Sequence, residues 1–254
     1  MGLSASLIVS GRVHPERADV HIYPIRLVLK NETIGIQGTL DLWIVCSQIQ
    51  GQFVGSYDNL VQLKQGIEDA CRQLVDALGY AQGCGYDVEI TQISNPSNTE
   101  TIVFSVQEEG LAQIAKWLNV EFNQIAPLLN SPYGTYVRRC LADLREAIRN
   151  PADCGFHCYR ALESLKWAFA EDSDDESAAW EKLRTAANVS REEIVDEIKL
   201  FADGPRHGRA ELIPLDQRRQ LLTLTWEIVG KVFLALIGKM PDYQPFQFTK
   251  PPNK

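Results

Sequence analysis

The stretch HIYPIRLVLK (residues 21–30) alternates between a mostly apolar face and a mixed face, and it decides the class of the first half of the chain. A period of two residues is typical of a half-buried β-strand. The flanking residues 4–13 and 33–53 are also rich in β-branched and aromatic side chains and are separated by turn signals. The sequence therefore predicts two or three long antiparallel strands.

A helix and two further strands are predicted to follow this sheet. Asp58 reads as the N-cap of a helix whose apolar residues recur at steps of three and four as far as Leu78. Glycines then end the helix, and residues 86–93 and 101–107 have strand composition. We therefore expect a β-rich α+β domain at residues 1–107, with the helix lying across its sheet.

The second half has almost no strand character. Asn150 and Pro151 read as the N-cap and first residue of one helix, and Ser190 opens a capping box. The predicted helices lie at residues 111–118, 133–149 and 151 to about 170, then start at Ser177 and Ser190, and the last spans 214–238. The expected class is α+β, an N-terminal antiparallel sheet with one packed helix followed by an all-α helical bundle at 108–238. A Pro-rich tail is expected at 239–254.

The composition describes an ordinary globular protein. Of the 254 residues, 45% are hydrophobic and 23% charged, which disfavours a disordered or fibrous chain. The net charge of −8 argues against a protein that coats nucleic acid by bulk electrostatics, because that mode needs a basic surface. A local basic site is compatible with this charge.

The cysteines and the hydrophobic runs bear on location. The six cysteines are scattered along the chain, which favours free thiols in a reducing compartment. The N-terminus lacks the pattern of a secretory signal, and no run approaches the roughly 20 apolar residues of a spanning helix. We expect a cytoplasmic protein without membrane contact, in which the acidic residues 171–176 form a solvated connection.

A polar connection between two predicted helices is the main site candidate. It reads Asp203-Gly-Pro-Arg-His-Gly-Arg209, and no Walker loop, dinucleotide fingerprint or nucleophile elbow is present elsewhere. Histidine can transfer a proton near neutral pH and arginine can hold a phosphate, so His207, Arg206 and Arg209 suit a nucleotide or phosphodiester ligand. The alternative is a solvated turn whose cations serve nearby helix ends.

Two further polar groups lie on the preceding helix. Cys154, His157 and Cys158 share one side of it and could begin a zinc site, although a fourth ligand is missing and the cysteines continue a core stripe. We therefore predict no metal and no cofactor. Arg160 and Glu163 can pair one turn apart and are assigned to the binding site, because their helix is expected to pack beside the Arg-His connection.

These residues together resemble the HEPN superfamily of small helical bundles found in bacterial toxins, phage-defence proteins and nucleotide-associated modules. The resemblance covers about residues 133–238. It rests on the segment Cys158-Tyr-Arg-Ala-Leu-Glu-Ser-Leu165, a helix ending at Asp203, the Arg206-His207-Gly208 turn and a long apolar last helix. It implies a role in bacterial defence or stress response, RNA or nucleotide as ligand, and assembly as a homodimer.

The sequence departs from the pattern of active HEPN members, in which an Arg precedes the His by four to six intervening residues. The corresponding positions here hold Leu200, Phe201 and Ala202, and Arg206 adjoins the histidine directly. The expected function is therefore a non-catalytic binding or assembly protein that contacts RNA or a nucleotide through residues 206–209, while its first domain contacts a protein partner.

The alternative is a metal-independent endoribonuclease acting as a homodimer. His207 would be its general acid/base, and Arg206 would stabilise the phosphorane charge.

Overall fold

The computed structural model describes residues 3–98, 100–104, 110–170, 175–209 and 213–240. The chain divides into two compact units, residues 1–107 and 108–254. An antiparallel sheet with one long helix forms the first, and helices form the second, so the predicted α+β class is confirmed.

The first unit contains a six-stranded antiparallel sheet in the order β2-β3-β4-β1-β5-β6. A 3₁₀ turn at Glu16–Ala18 follows the first strand. One helix, α1 (Leu60–Gln82), packs against β5, β2 and β3. The strands are β1 (Leu3–His14), β2 (Ile22–Asn31), β3 (Ile36–Val45), β4 (Gln48–Tyr57), β5 (Asp87–Asn95) and β6 (Glu100–Val103).

The sheet has one buried and one exposed face. Leu7, Phe53 and Leu40 are paired across β1, β4 and β3, and all three are buried. Their neighbours along each strand point to the other face, as the strand period requires. The large apolar side chains that this face leaves exposed include Ile8, Val28, Trp43, Val45 and Val54.

The predicted strand at 33–53 is two strands joined by a turn of two residues. Cys46 and Ser47 form this turn, with φ angles of 48° and 61°. Tight hairpins need positive φ at both turn positions, and Asn-Gly or Asp-Gly is the usual signal for them. Cys-Ser carries no such signal, so the sequence predicts one continuous strand where the structure has β3 and β4.

The N-cap predicted for α1 is wrong by one residue. Asn59, not Asp58, caps the helix, because the Asn59 side chain accepts hydrogen bonds from the backbone N–H groups of Val61 and Gln62. Both residue types suit an N-cap, so composition could not separate them.

The second unit is built around α5, which packs against α4, α6, α8 and α9. A core of fully buried side chains, including Cys158, Leu162 and Leu222, runs through it. The helices are α2 (Leu111–Trp117), α3 (Phe122–Leu128), α4 (Gly134–Arg149), α5 (Cys154–Lys166), α6 (Glu176–Ala187), α7 (Arg191–Ile194), α8 (Leu200–Arg206) and α9 (Leu215–Gly238). A 3₁₀ turn (Trp167–Phe169) follows α5, and a π segment (Val195–Lys199) joins α7 to α8.

Several helix boundaries differ from the prediction. Asp153 precedes the first residue of α5, and residues 151–153 form a turn instead of the predicted first helical turn after Asn150. The short α3 was not predicted. The capping box is confirmed, since Ser190 Oγ accepts from Glu193 N at 3.0 Å and Glu193 Oε2 accepts from Ser190 N at 2.7 Å. The acidic residues 171–174 and the tail at 241–254 lie outside the described residues.

The last helix bears on membrane contact. Within the described ranges, α9 is the one helix long and apolar enough to cross a membrane by length and composition. Half of its most apolar window is buried inside the second unit, as in the core helix of a soluble protein. The burial of α9 agrees with the expected soluble chain.

Candidate functional site

The predicted polar connection is largely helical. Residues 203–206 form the end of α8, and His207, Gly208 and Arg209 follow it. The backbone N–H of Arg209 donates to the Gly204 carbonyl at 3.0 Å, and that of Gly208 donates to the Pro205 carbonyl at 3.0 Å. Gly208 adopts a φ of 74°, and these bonds form the Schellman motif that ends many helices. Gly208 therefore stops α8 and does not open a loop.

Gly155 of α5 allows α8 to pack closely against it. Pro205 of α8 has no N–H to donate to the carbonyl four residues earlier, that of Phe201. This carbonyl lies against Gly155 of α5, where an added Cβ would come within 2.3 Å of the oxygen. The close approach of the two helices thus depends on a glycine in α5.

The side chains of Arg206, His207 and Arg209 are exposed. Among the residues that the structure describes, none of the three side chains has a hydrogen bond, an ion pair or an aromatic contact. They are therefore available to an anionic ligand.

Two of the predicted residues act through their charges on the Tyr159 hydroxyl of α5. The Tyr159 ring stacks on Trp180 with centroids 5.9 Å apart. Burial raises the pKa of the Tyr159 hydroxyl, the negative charges of Glu163 and Asp203 raise it further, and the positive charge of Arg206 opposes them. Glu163 and Arg206 therefore both lie within electrostatic range of the Tyr159 hydroxyl.

Arg160 pairs with Asp143 and not with the predicted partner Glu163. Its Nε donates to Asp143 Oδ1 of α4 at 2.6 Å, and its Nη2 donates to the same oxygen. The described part of the chain contains no ion pair between Arg160 and Glu163. The guanidinium also lies 4.8 Å from the centroid of the Phe156 ring, and 45% of the side chain is exposed. One edge of the Arg160 guanidinium is therefore bound by Asp143, and the remainder of the group faces solvent.

Asp143 is the buried centre of this cluster. Its side chain is 6% exposed, and His157 Nδ1 lies 3.6 Å from its Oδ1. Burial raises the pKa of the carboxyl, but hydrogen bonds from His157 and Arg160, together with their charges, outweigh burial and lower the pKa below its ordinary value. The signal available in the sequence was an acidic residue on the apolar face of α4, between Cys140 and Leu144.

The possible zinc ligands on α5 are not brought together as a site. Cys154 and Cys158 are fully buried in the core, while His157 turns towards Asp143. A hydrogen bond with Cys154 and then burial raise the pKa of the Cys158 thiol well above its ordinary value, which opposes the thiolate form that binds metal. These contacts agree with the core-stripe interpretation.

An apolar cavity of about 300 Å³ opens between α2, α3, α4 and α9, and its lining includes none of the polar groups described above. Its lining is aliphatic and aromatic, with Arg145 as its charged member. Gly230 of α9 lets α2 approach closely there, since an added Cβ would meet Leu118 at 2.6 Å. The lining can hold an apolar group but offers no acid-base pair.

Comparison with known proteins gives matches for both halves of the chain. Residues 7–104 match the family model for the N-terminal domain of a domain of unknown function (DUF8168), and residues 122–236 match the model for its C-terminal domain. No curated protein and no solved structure matches the chain.

Proposed function

We propose that this chain, whose halves match the N- and C-terminal domains of the DUF8168 family, is a cytoplasmic, HEPN-like binding and assembly protein acting in bacterial defence or stress response. Its ligand is RNA or a nucleotide, held through Arg206, His207 and Arg209 without cleavage. The observation that carries the proposal is the exposure of these three side chains without partners among the described residues, at a helix end fixed by Gly208.

Phosphate recognition suits these groups. Guanidinium groups bind phosphate bidentately, and a charge-assisted contact stabilises a complex more than a neutral one does. Arg160 adds a half-exposed cation on the neighbouring helix, already oriented by Asp143. Glu163 can accept a hydrogen bond from a ribose hydroxyl or a base amino group.

Binding is favoured over cleavage because His207 lacks a group that would orient it as a general base. No carboxylate contacts His207 in the described part of the chain. Of the two histidines in the second unit, His157 is the one that lies beside a carboxylate, and its side chain is 12% exposed. The endoribonuclease alternative would need His207 residues from two copies to meet in one cleft.

Assembly is the second part of the proposal. The exposed face of the sheet, with Val28 and Trp43 among its apolar side chains, supports contact with a protein partner through the first unit. The helical unit would form the homodimer. Light scattering that gives a strict monomer at micromolar concentration would contradict the homodimer and leave the ligand question to the next experiment.

Fluorescence anisotropy with labelled single-stranded RNA and with a labelled ATP analogue tests the ligand. The double variant Arg206→Ala/Arg209→Ala should bind at least about ten-fold more weakly, since each charge-assisted hydrogen bond contributes about 1.5–3 kcal/mol. For RNA, the slope of log K against the logarithm of the salt concentration should decrease in magnitude by about 0.7 for each lost phosphate contact. The matched control is Arg191→Ala, an exposed arginine about 20 Å away along the α7–α8 helical run.

The RNA recovered from these mixtures separates the two functions. Intact RNA with wild-type protein supports binding. RNA that is cut by wild type and left intact by His207→Ala would replace the proposal with the endoribonuclease. Equal binding by wild type and the double variant, or no binding by either, would overturn the assigned surface.

A further inference from the structure

Three side chains in the first unit converge outside the site described above. The Asp19 carboxylate, the His21 imidazole and the Cys46 thiol each place a ligand atom within 4.8 Å of the other two. All three residues are exposed, and the described residues contain no other group of three His, Cys, Asp or Glu side chains arranged in this way. His21 Nε2 lies 3.0 Å from Asp19 Oδ1.

Hydrogen bonds join the two segments that carry these side chains. Val20, between Asp19 and His21, donates its N–H to Ser47 Oγ at 3.0 Å, and its carbonyl accepts from Ser47 N at 2.9 Å. Ser47 follows Cys46 directly and is fully buried, and Val20 is buried too. The Ser47 carbonyl also accepts from Val13 N of β1 at 2.8 Å. The backbone segments that carry the cluster are therefore hydrogen-bonded to each other and to β1 of the sheet.

The backbone around the cluster is unusual. Five non-glycine residues in the described chain have positive φ, and three of them, Asp19, Cys46 and Ser47, lie here. Positive φ costs a residue with a Cβ roughly 1–2 kcal/mol, and such strain concentrates at functional sites. A glycine at position 46 or 47 would relieve the backbone strain of this turn, but position 46 holds a cysteine, which supplies a thiol.

We propose that Asp19, His21 and Cys46 form a zinc-binding site with an open fourth position. Zn²⁺ binds thiolate, imidazole and carboxylate ligands at about 2.0–2.3 Å, which separates the ligands of a tetrahedron by about 3.3–3.6 Å. Asp19 and His21 are already near that separation, and rotation of exposed side chains brings in Cys46. The mixture of soft, borderline and hard ligands suits Zn²⁺ better than Mg²⁺ or Ca²⁺, which prefer oxygen alone.

The open position determines what the site can do. Three protein ligands and a water are typical of catalytic zinc sites, whereas structural sites are closed by four. Because the cluster is exposed, the fourth ligand is a water or a donor from a bound partner. Binding converts the Cys46 thiol into a thiolate, so one proton is released to solvent.

Cobalt(II) substitution tests the site in the full-length, chelator-treated protein. Co²⁺ should bind with one equivalent per chain and produce the near-ultraviolet thiolate charge-transfer band together with intense tetrahedral ligand-field bands, and Zn²⁺ should displace it. Cys46→Ser should remove the charge-transfer band, and His21→Ala should weaken Zn²⁺ binding by more than about 100-fold, because losing a ligand costs more than the 10–100-fold lost with a group that merely orients one.

The matched control is Cys84→Ser, which removes the other exposed cysteine and should leave both bands unchanged. Thermal unfolding of each variant without metal checks that it folds. Because the three ligand side chains are exposed, we expect the variants to fold like the wild type. The proposal is overturned if the wild type binds neither Co²⁺ nor Zn²⁺ stoichiometrically. It is also overturned if the charge-transfer band survives Cys46→Ser, or if Cys84→Ser removes it.

Discussion

The carboxylate of Asp143 is 6% exposed and accepts hydrogen bonds from Arg160, whose own side chain is 45% exposed. Removal of either partner should therefore have unequal effects. Arg160→Ala leaves a buried carboxylate without its main partner and should destabilise the protein by about 1–3 kcal/mol. Asp143→Ala leaves an arginine that water can solvate and should cost less. Urea unfolding measures both, and equal losses would show that the pair acts as a surface ion pair.

The pair also predicts a pH dependence. The pKa of Asp143 is lowered in the folded protein, so its contribution to stability is present above the unfolded value of about 3.9 and is lost as pH falls through the lower folded pKa. The stability difference between wild type and Asp143→Asn should shrink as the pH falls below about pH 4. Urea midpoints above and below this pH test it. A difference that grows on acidification has the wrong sign for this mechanism.

Gly155 should be intolerant of a side chain. In Gly155→Ala the new Cβ meets the Phe201 carbonyl oxygen at 2.3 Å, and because this atom is backbone, α5 and α8 must separate. The expected loss is at least about 2–3 kcal/mol, at the high end for overpacking. Gly238→Ala is the control, because nothing lies within 4 Å of its Cβ and its φ is not in the left-handed region. Comparable thermal unfolding of the two variants would contradict the packing argument.

Gly208 should be sensitive for a different reason. Space around its Cβ is open, but its φ of 74° is unfavourable for alanine. Gly208→Ala should cost about 1 kcal/mol and fray the end of α8, while Gly208→Asn should recover part of the loss because Asn tolerates this conformation. If residues 206–209 bind RNA, its affinity should follow the same order in anisotropy measurements. If the alanine and asparagine variants at position 208 are equally stable, the Schellman motif does not determine the stability of this helix end.

The six thiols should react in two classes. Cys46 and Cys84 are exposed, whereas Cys71, Cys140, Cys154 and Cys158 are buried, and burial raises the pKa of Cys71 to about 12. Ellman's reagent should modify two thiols quickly in the native protein and all six in denaturant. Zinc should slow one of the two fast thiols. Rapid modification of three or more native thiols would conflict with the burial of the core cysteines.

The fold was predictable where hydrophobic period and caps agree. The alternation in residues 21–30, the apolar repeat of α1 and the capping box at Ser190 each place an element near its observed position. The errors fall where tertiary contacts decide. Cys46 and Ser47 adopt a turn that their residue types disfavour, and they do so where buried Ser47 bonds to Val20.

The candidate site was predictable in part. The exposed position of Arg206, His207 and Arg209 was predictable, because glycine and proline mark a helix end in the sequence. The partner of Arg160 could not be found in this way, because Asp143 lies 17 residues earlier and meets it only when α4 and α5 pack together. The cluster of Asp19, His21 and Cys46 has the same origin, since strand pairing brings position 46 beside position 20.

The π segment at Val195–Lys199 sets the direction in which α8 presents its end. A π turn holds one more residue than an α turn, and each helical residue advances the direction by about 100°. If the same residues formed a regular α-helix from Arg191 onward, Arg206 would be turned by about a quarter of a circle. The π winding therefore acts as an angular offset, and the same residues wound as a continuous α-helix would present Arg206 towards different neighbours.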